Sequence, residues 1–251
     1  MWLQVLITVL VTVIAAVYAS VGLAGGTAYL SVLSFFDSDP DTLRPIAWTL
    51  NVIVAAVGFW QFKKGGHFDG RIAWPFLLGG TAGGMAGAAL PMSELAFAGL
   101  LALTLIGASI KMLTGRKPKE RDDIAVRHWV LRLLLGVVIG VLSGMVGIGG
   151  GIILGPIVIA LGWLDIKRTA AITSLYILVV SAGALGGFFA RGGTLDWAEI
   201  ALLAGFVALG GFVGARWGAG RASPRALQII FGLVALVAGV RLAVTFVMGL
   251  L

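Results

Sequence analysis

Cysteine is absent from the chain, and histidine occurs only twice, at His67 and His128. The first absence excludes disulfides and thiolate metal sites, and leaves the redox compartment unread. The second leaves no HExxH or comparable metal-ligand cluster. Both histidines fall in loops, where solvation is expected, and Glu94, Glu120 and Glu199 fall at loops or span ends. Carboxylate-based proton coupling, which needs an acidic or histidine side chain inside a membrane span, is therefore disfavoured. An intramembrane protease would need a Ser or Asp paired with His or another Asp in the spans, so the chain does not read as an enzyme. No cofactor and no metal are expected.

Charge is also scarce. Only 12% of the 251 residues are Asp, Glu, Lys or Arg, against about 25% in soluble domains. With 59% hydrophobic residues and a mean hydropathy of +1.05, the composition is that of an all-α polytopic membrane protein whose main partner is the lipid bilayer. The formal charge of +7 would suit a nucleic-acid partner, but the basic residues sit in short loops between apolar runs. There they set topology instead. No Lys or Arg precedes the first apolar run, so Met1 to Ser20 reads as a membrane element and not as a signal peptide.

Glycine is what the chain has in excess, 38 residues of it. The stretch Ser143 to Pro156 holds six glycines and a proline inside an apolar run, and four of the six fall between Gly147 and Gly151. A glycine costs a helix about 1 kcal/mol and a proline about 3, so the helix is expected to break there. A weaker version lies at Ser20 to Thr27. An offset of 125 residues pairs Gly22 with Gly147, Gly25 with Gly150 and Gly26 with Gly151. The two apolar runs that contain these breaks are about 35 residues long, ~52 Å as a straight helix against a ~30 Å hydrocarbon core. The other six runs have about the 20-residue length of one crossing.

The repeat extends along the chain. Arg44 pairs with Arg168 and Thr49 with Thr173; Gly83, Gly84 and Gly87 pair with Gly210, Gly211 and Gly214; Lys111 pairs with Arg241. Residues 1–251 are read as one transporter domain made of two repeats, 1–115 and 125–251, joined by a basic cytoplasmic linker, 116–124. Basic residues decide their orientation. Leaving out Lys111, Arg132 and Arg241 inside helices, two parallel repeats would place nine basic residues inside and six outside. If each broken run instead returns to its starting side, the second repeat is inverted. Thirteen basic residues then lie inside and only Arg44 and Arg191 outside, as the positive-inside rule requires. The expected fold is thus two inverted-topology repeats, each a broken, re-entrant helical hairpin followed by three transmembrane helices, with both termini outside.

Non-helical backbone at membrane depth survives only where protein or a water-filled cavity surrounds it. Broken helices in inverted repeats also put half-helix N-termini near the midplane, where their N–H groups favour an anion. Residues 22–27 (Gly22, Ala24, Gly25, Gly26, Thr27) and 147–152 (Gly147, Gly149, Gly150, Gly151) are the candidate tips of one substrate site. Close helix packing is the competing role for glycine, and the favoured one for Gly79, Gly80, Gly83, Gly84, Gly87, Gly210, Gly211 and Gly214. Thr49, Asn51, Thr173, Ser174 and Tyr176 follow the breaks and offer hydrogen bonds either to an oxyanion or to helix backbone. Arg44 and Arg168 stand at the two mouths, as anion attractors or topology anchors, and Trp48 lines the path or packs. Lys111 and Arg241 either snorkel or flank the path.

The paired motif Val21-Gly22-Leu23-Ala24-Gly25-Gly26 and Val146-Gly147-Ile148-Gly149-Gly150-Gly151, with Arg44, Thr49-Leu50-Asn51, Lys167-Arg168 and Thr173-Ser174 after it, resembles the TauE/SafE sulfite exporter family across essentially the whole chain. The first copy departs from the glycine-rich pattern at Ala24 and Thr27. The resemblance implies a secondary transporter of the bacterial inner membrane, an exporter of small sulfur-containing anions such as sulfite, sulfoacetate and other sulfonates, by alternating access. The residues alone say small anion. An anion channel, or an uptake permease for another small organic anion, is the alternative.

Overall fold

A computed structural model describes residues 2–33, 40–87, 94–114, 128–146 and 149–248. Every regular element among them is helical: α1 (Trp2–Ser20), α2 (Gly26–Leu33), α3 (Pro40–Lys64), α4 (Gly70–Gly87), α5 (Glu94–Thr114), α6 (Trp129–Val146), α7 (Gly151–Ala160), α8 (Ile166–Ala190), α9 (Trp197–Arg216), which runs on into a π-helical turn at Trp217–Arg221, and α10 (Pro224–Met248). The two long apolar runs are indeed broken. Each gives a long helix and a short one, α1 with α2 and α6 with α7. Local chemistry sets the ends. Asp165, for example, is the N-cap of α8, its Oδ1 accepting from the backbone N–H groups of Lys167 (2.8 Å) and Arg168 (2.9 Å).

Segments 43–64, 166–190, 200–221 and 224–248 are each long and apolar enough to cross a membrane, and four shorter apolar helices accompany them. Their outward faces carry large apolar side chains that water would not tolerate in such number, among them Leu103, Leu209, Val213, Val237 and Met248. The buried side differs. Helices α3 and α8 pack on each other at the centre and bury Leu50, Asn51, Val54, Thr173, Ser174 and Tyr176.

The packing pairs are matched between the halves. Helix α1 packs on α9 as α6 packs on α4; α3 packs on α9 as α8 packs on α4; α2 packs on α3 as α7 packs on α8. The pairs α3–α8 and α5–α10 each join corresponding helices. Not every packing is matched: α5 lies against α7, and α10 has no equally close contact with α2 among the described residues.

Glycine makes the two strongest matched packings possible. A Cβ on Gly83 of α4 would overlap the Val137 carbonyl of α6, and a Cβ on Gly210 of α9 would overlap that of Thr12 in α1. Gly214 and Gly218 likewise lie on the carbonyls of Ala16 and Ser20. These are small-residue contacts that bring backbones together where apolar burial gives no driving force, the role favoured for them above. We therefore expect Gly214→Leu to separate α1 from α9 and to cost about 1–3 kcal/mol, the usual range for an overpacked core. A thermal melt in detergent should fall by several degrees, while Gly205→Leu, which meets nothing within 4 Å, should leave it unchanged.

Candidate anion site at the two helix breaks

Helix α1 ends by a left-handed glycine. Gly22 has φ +76°, which lets the Leu23 N–H return to the Tyr18 carbonyl (2.9 Å) and the Gly22 N–H to that of Ala19 (3.1 Å), a Schellman-type close. The chain turns again at Gly25, φ +95°, whose carbonyl accepts from Ala28 and Tyr29 (both 2.9 Å) to start α2. In the second break Gly149 and Gly150 have φ +75° and +70°, and the Gly150 carbonyl accepts from Ile153 and Leu154 (both 3.1 Å) to start α7. Gly147 lies outside the described residues.

Gly25 and its offset partner Gly150 thus share a left-handed backbone. Ala24 and its partner Gly149 do not, since no residue other than glycine has a positive φ among those described. That is the physical reason an alanine stands in the first copy: its backbone there is ordinary, whereas the second copy turns left-handed at the matching residue.

The two breaks meet around α3 and α8. Gly22 sits directly on α8, where a Cβ would overlap the Ala170 backbone. Its carbonyl accepts from the hydroxyls of Thr173 (3.0 Å) and Ser174 (3.1 Å). Asn51 of α3, only 1% exposed, lies between the tips. A Cβ on Gly26 would come within 2.8 Å of its Oδ1, and one on Gly149 within 3.4 Å of its Nδ2. Asn51, Gly25, Gly26 and Thr27 line a narrow cavity with Tyr18, Leu23, Ala24, Ile152 of α7 and Ile177 of α8. Its free space is about 10 Å³, room for about one water molecule, so a larger occupant requires the walls to part.

Polar capacity left unspent collects here. Asn51 Oδ1, the Tyr29 hydroxyl and the Ser181 hydroxyl are buried with no hydrogen-bond partner within the protein. A Cβ on Gly25 would lie 3.1 Å from the Tyr29 oxygen, and one on Gly149 would lie 3.2 Å from Ser181 Oγ. A buried unsatisfied polar group costs about 1–3 kcal/mol. Three of them lie beside two helix N-termini.

The remaining candidates fall around this centre. Thr49 donates to the Pro45 carbonyl of its own helix (2.8 Å). Thr173 and Ser174, besides Gly22, reach Thr169 O (2.9 Å) and Ala170 O (2.8 Å) respectively. Tyr176 lies under the second break; its hydroxyl donates to Gly136 O (3.2 Å), and its ring faces Gly80 and Gly150. Gly151 packs on Ile177. Arg44 and Trp48 are half-buried on α3, Arg44 two turns, ~10 Å, before Asn51. Arg168 pairs with Asp165 at 3.3 Å at the start of α8. Among the described residues no group of His, Asp and Glu side chains could hold a metal ion. His67, expected to be solvated, is instead half-buried and lies 3.0 Å from the Ala219 carbonyl in the π-helical turn.

Tyr18, Tyr29, Ser181 and Ile177 were not singled out from sequence. A signal existed for the tyrosines: the chain has 13 Phe but only three Tyr, and all three stand at the breaks.

The family model described as "Sulfite exporter TauE/SafE" matches residues 7–242. The "Probable membrane transporter protein y4hK" of Sinorhizobium fredii is 32% identical over 230 residues, covering 89% of this chain and 91% of that one. No solved structure matches the chain.

Proposed function

Because the chain belongs to the TauE/SafE sulfite exporter family and is a membrane transporter by that membership, we propose that it carries small sulfur-containing anions, sulfite, sulfoacetate and other sulfonates, across the bacterial inner membrane. In this reading the anion sits where the two breaks meet, and the direction is export. The observation that carries it is the position of Asn51, buried between Gly26 and Gly149 with hydrogen-bonding capacity unspent, so that a half turn of its amide would aim N–H donors at an anion. The starts of α2 and α7 add aligned N–H groups that favour negative charge.

The two halves are inverted repeats in this reading, supported by the matched packing pairs and by the thirteen-to-two distribution of basic residues. Rocking one half against the other would open the cavity to each side in turn. Reporter fusions at both ends check this, with both termini expected outside; a cytoplasmic C-terminus contradicts the inverted arrangement. A narrow cavity favours a carrier over a channel, since a channel needs a continuous wet path. Saturable exchange of labelled substrate in liposomes is the expected behaviour, and large single-channel currents would replace the carrier with a channel.

The substrate class is tested by a thermal-shift screen of the purified protein with sulfite, sulfate, sulfoacetate, taurine and simple carboxylates. A ligand at 100 times its Kd stabilises by about 2.7 kcal/mol, which a melt detects readily. Sulfite or sulfonates should raise the melting temperature; a response to carboxylates only would remove the sulfur-anion reading.

A further inference from the structure

Helix α10 carries one charged residue between Arg225 and its end, Arg241. It sits about 24 Å along the axis from Arg225, among the exposed apolar side chains of Val237, Val240 and Val244. Its Nη1 donates to the Thr27 carbonyl at 2.8 Å, and it lies within electrostatic reach of Tyr18. The side chains of Tyr18 and Thr27 share a hydrogen bond, and both residues line the cavity between the breaks. Among the described residues no carboxylate pairs with Arg241. A cation in an apolar span without an acidic partner is costly and marks function.

The partner that the repeat gives it, Lys111, explains itself differently. Its Nζ donates to the Ala160 carbonyl at 2.6 Å, the last residue of α7, and a cation at the negative end of a helix is favourable there. Thr27 is the second residue of α2, the positive end, where the helix dipole opposes a cation. Helix start and guanidinium together make a concentration of positive charge that only an anion offsets. Arg241 is itself exposed and stands outside the cavity wall, meeting it through the Thr27 carbonyl. The cavity behind Thr27 also holds a polar side chain, Asn51, that is 1% exposed and has an oxygen without a partner; a half turn of its amide would present N–H donors instead. The other wall residues, Leu23, Ile152 and Ile177, are apolar.

We propose that Arg241, with Tyr18 and the start of α2, is the charge-recognising subsite at the rim of this cavity. It takes a singly charged oxyanion head group, while the apolar wall at Ile152 and Ile177 takes a short organic group. The assignment rests on the anion-transport reading and adds to it the residue that selects charge.

The test uses the purified full chain and equilibrium binding of methanesulfonate by calorimetry, with sulfate as the doubly charged comparison. Arg241→Met keeps the apolar stem and removes the charge, and a Met in an apolar span is easier to insert than an Arg. It should weaken methanesulfonate binding on the order of 10- to 100-fold, the range for losing a charge-assisted hydrogen bond. R241K should recover most of the binding, and K111M should change it less than about 3-fold because Lys111 closes a helix end. Wild-type protein should prefer methanesulfonate, whose methyl group meets the apolar wall, to sulfate. Wild-type affinity in R241M, or R241K as weak as R241M, or equal loss in K111M, overturns the assignment while leaving the anion reading in place. A wild-type protein that binds no anion overturns the anion reading, and this assignment falls with it.

Discussion

Replacing Asn51 by Leu should abolish transport and at the same time make the protein more stable. The two substitution effects have opposite signs because the amide is unspent in the folded chain. Its Oδ1 is buried without a donor, a condition that costs about 1–3 kcal/mol, and Leu has the same branched outline with methyl groups in place of the polar atoms. Removing the orphan should raise the melting temperature by about 2–4 °C per kcal/mol recovered, for a chain of this size. A purely structural asparagine would behave the other way, since its removal would strand partners and lower the melt. Transport of labelled sulfonate and a thermal melt on the same preparation read both signs. A stable Asn51→Leu variant with normal transport would take Asn51 out of the site. An unstable one would make it a structural residue.

Leucine at Gly25 or at Gly150 should also abolish transport, for a geometric reason. Both glycines have left-handed φ, +95° and +70°, a region that costs an L-residue about 1–2 kcal/mol. The added side chain also has no room. A Cβ on Gly25 would approach the Tyr29 ring at 3.0 Å and Ile14 at 3.1 Å, and one on Gly150 would approach Tyr176 at 2.7 Å. Membrane insertion should remain intact, because it follows hydropathy and Leu only raises it. Gly25→Asn separates the two causes. Asn tolerates the left-handed backbone but meets the same neighbours through its Cβ, so it should be less destabilised than the leucine variant and still lose most transport. Normal transport in both leucine variants would remove the tips from the site.

The breaks themselves were legible in the sequence because they are backbone facts. Consecutive glycines cannot hold an apolar helix, and the offset of 125 residues leads from the break at Gly147 to Gly151 to the weaker one at Gly22 to Gly26. What a side chain does once the breaks meet was less legible. Thr173 and Ser174 were weighed between oxyanion and backbone, and in the structure both bond the Gly22 carbonyl, a group some 150 residues away whose direction no spacing reveals. Ala24 departs from the glycine-rich pattern because it stands where the first break keeps an ordinary φ and its partner Gly149 does not. Lys111 and Arg241 are matched by the repeat, and they separate because Lys111 reaches the end of α7 while the Arg241 side chain reaches the start of α2. Periodicity and composition place helices; they do not say which end of a neighbour a long side chain will find.

The same comparison explains why tyrosine deserved more weight. A tyrosine in an apolar span carries a hydroxyl that must be satisfied or used, unlike phenylalanine. Tyr18 bonds Thr27 and Tyr176 bonds Gly136, whereas Tyr29 is left without a partner beside Gly25. Three tyrosines at two breaks is a distribution that phenylalanine, spread along the chain, does not share.

The central claim is that both breaks touch one bound anion, and the chain's lack of cysteine makes it directly measurable. Thr27→Cys in the first break and Ile152→Cys in the second each introduce a single thiol into the cavity lining. Labelling by a small charged thiol reagent would be followed in membranes over a range of sulfoacetate or sulfite concentrations. Both positions should be protected by the same anion, with the same half-protecting concentration, because one ligand covers both. Labelling at both positions that no anion slows, or protection at one with none at the other, would contradict a shared site.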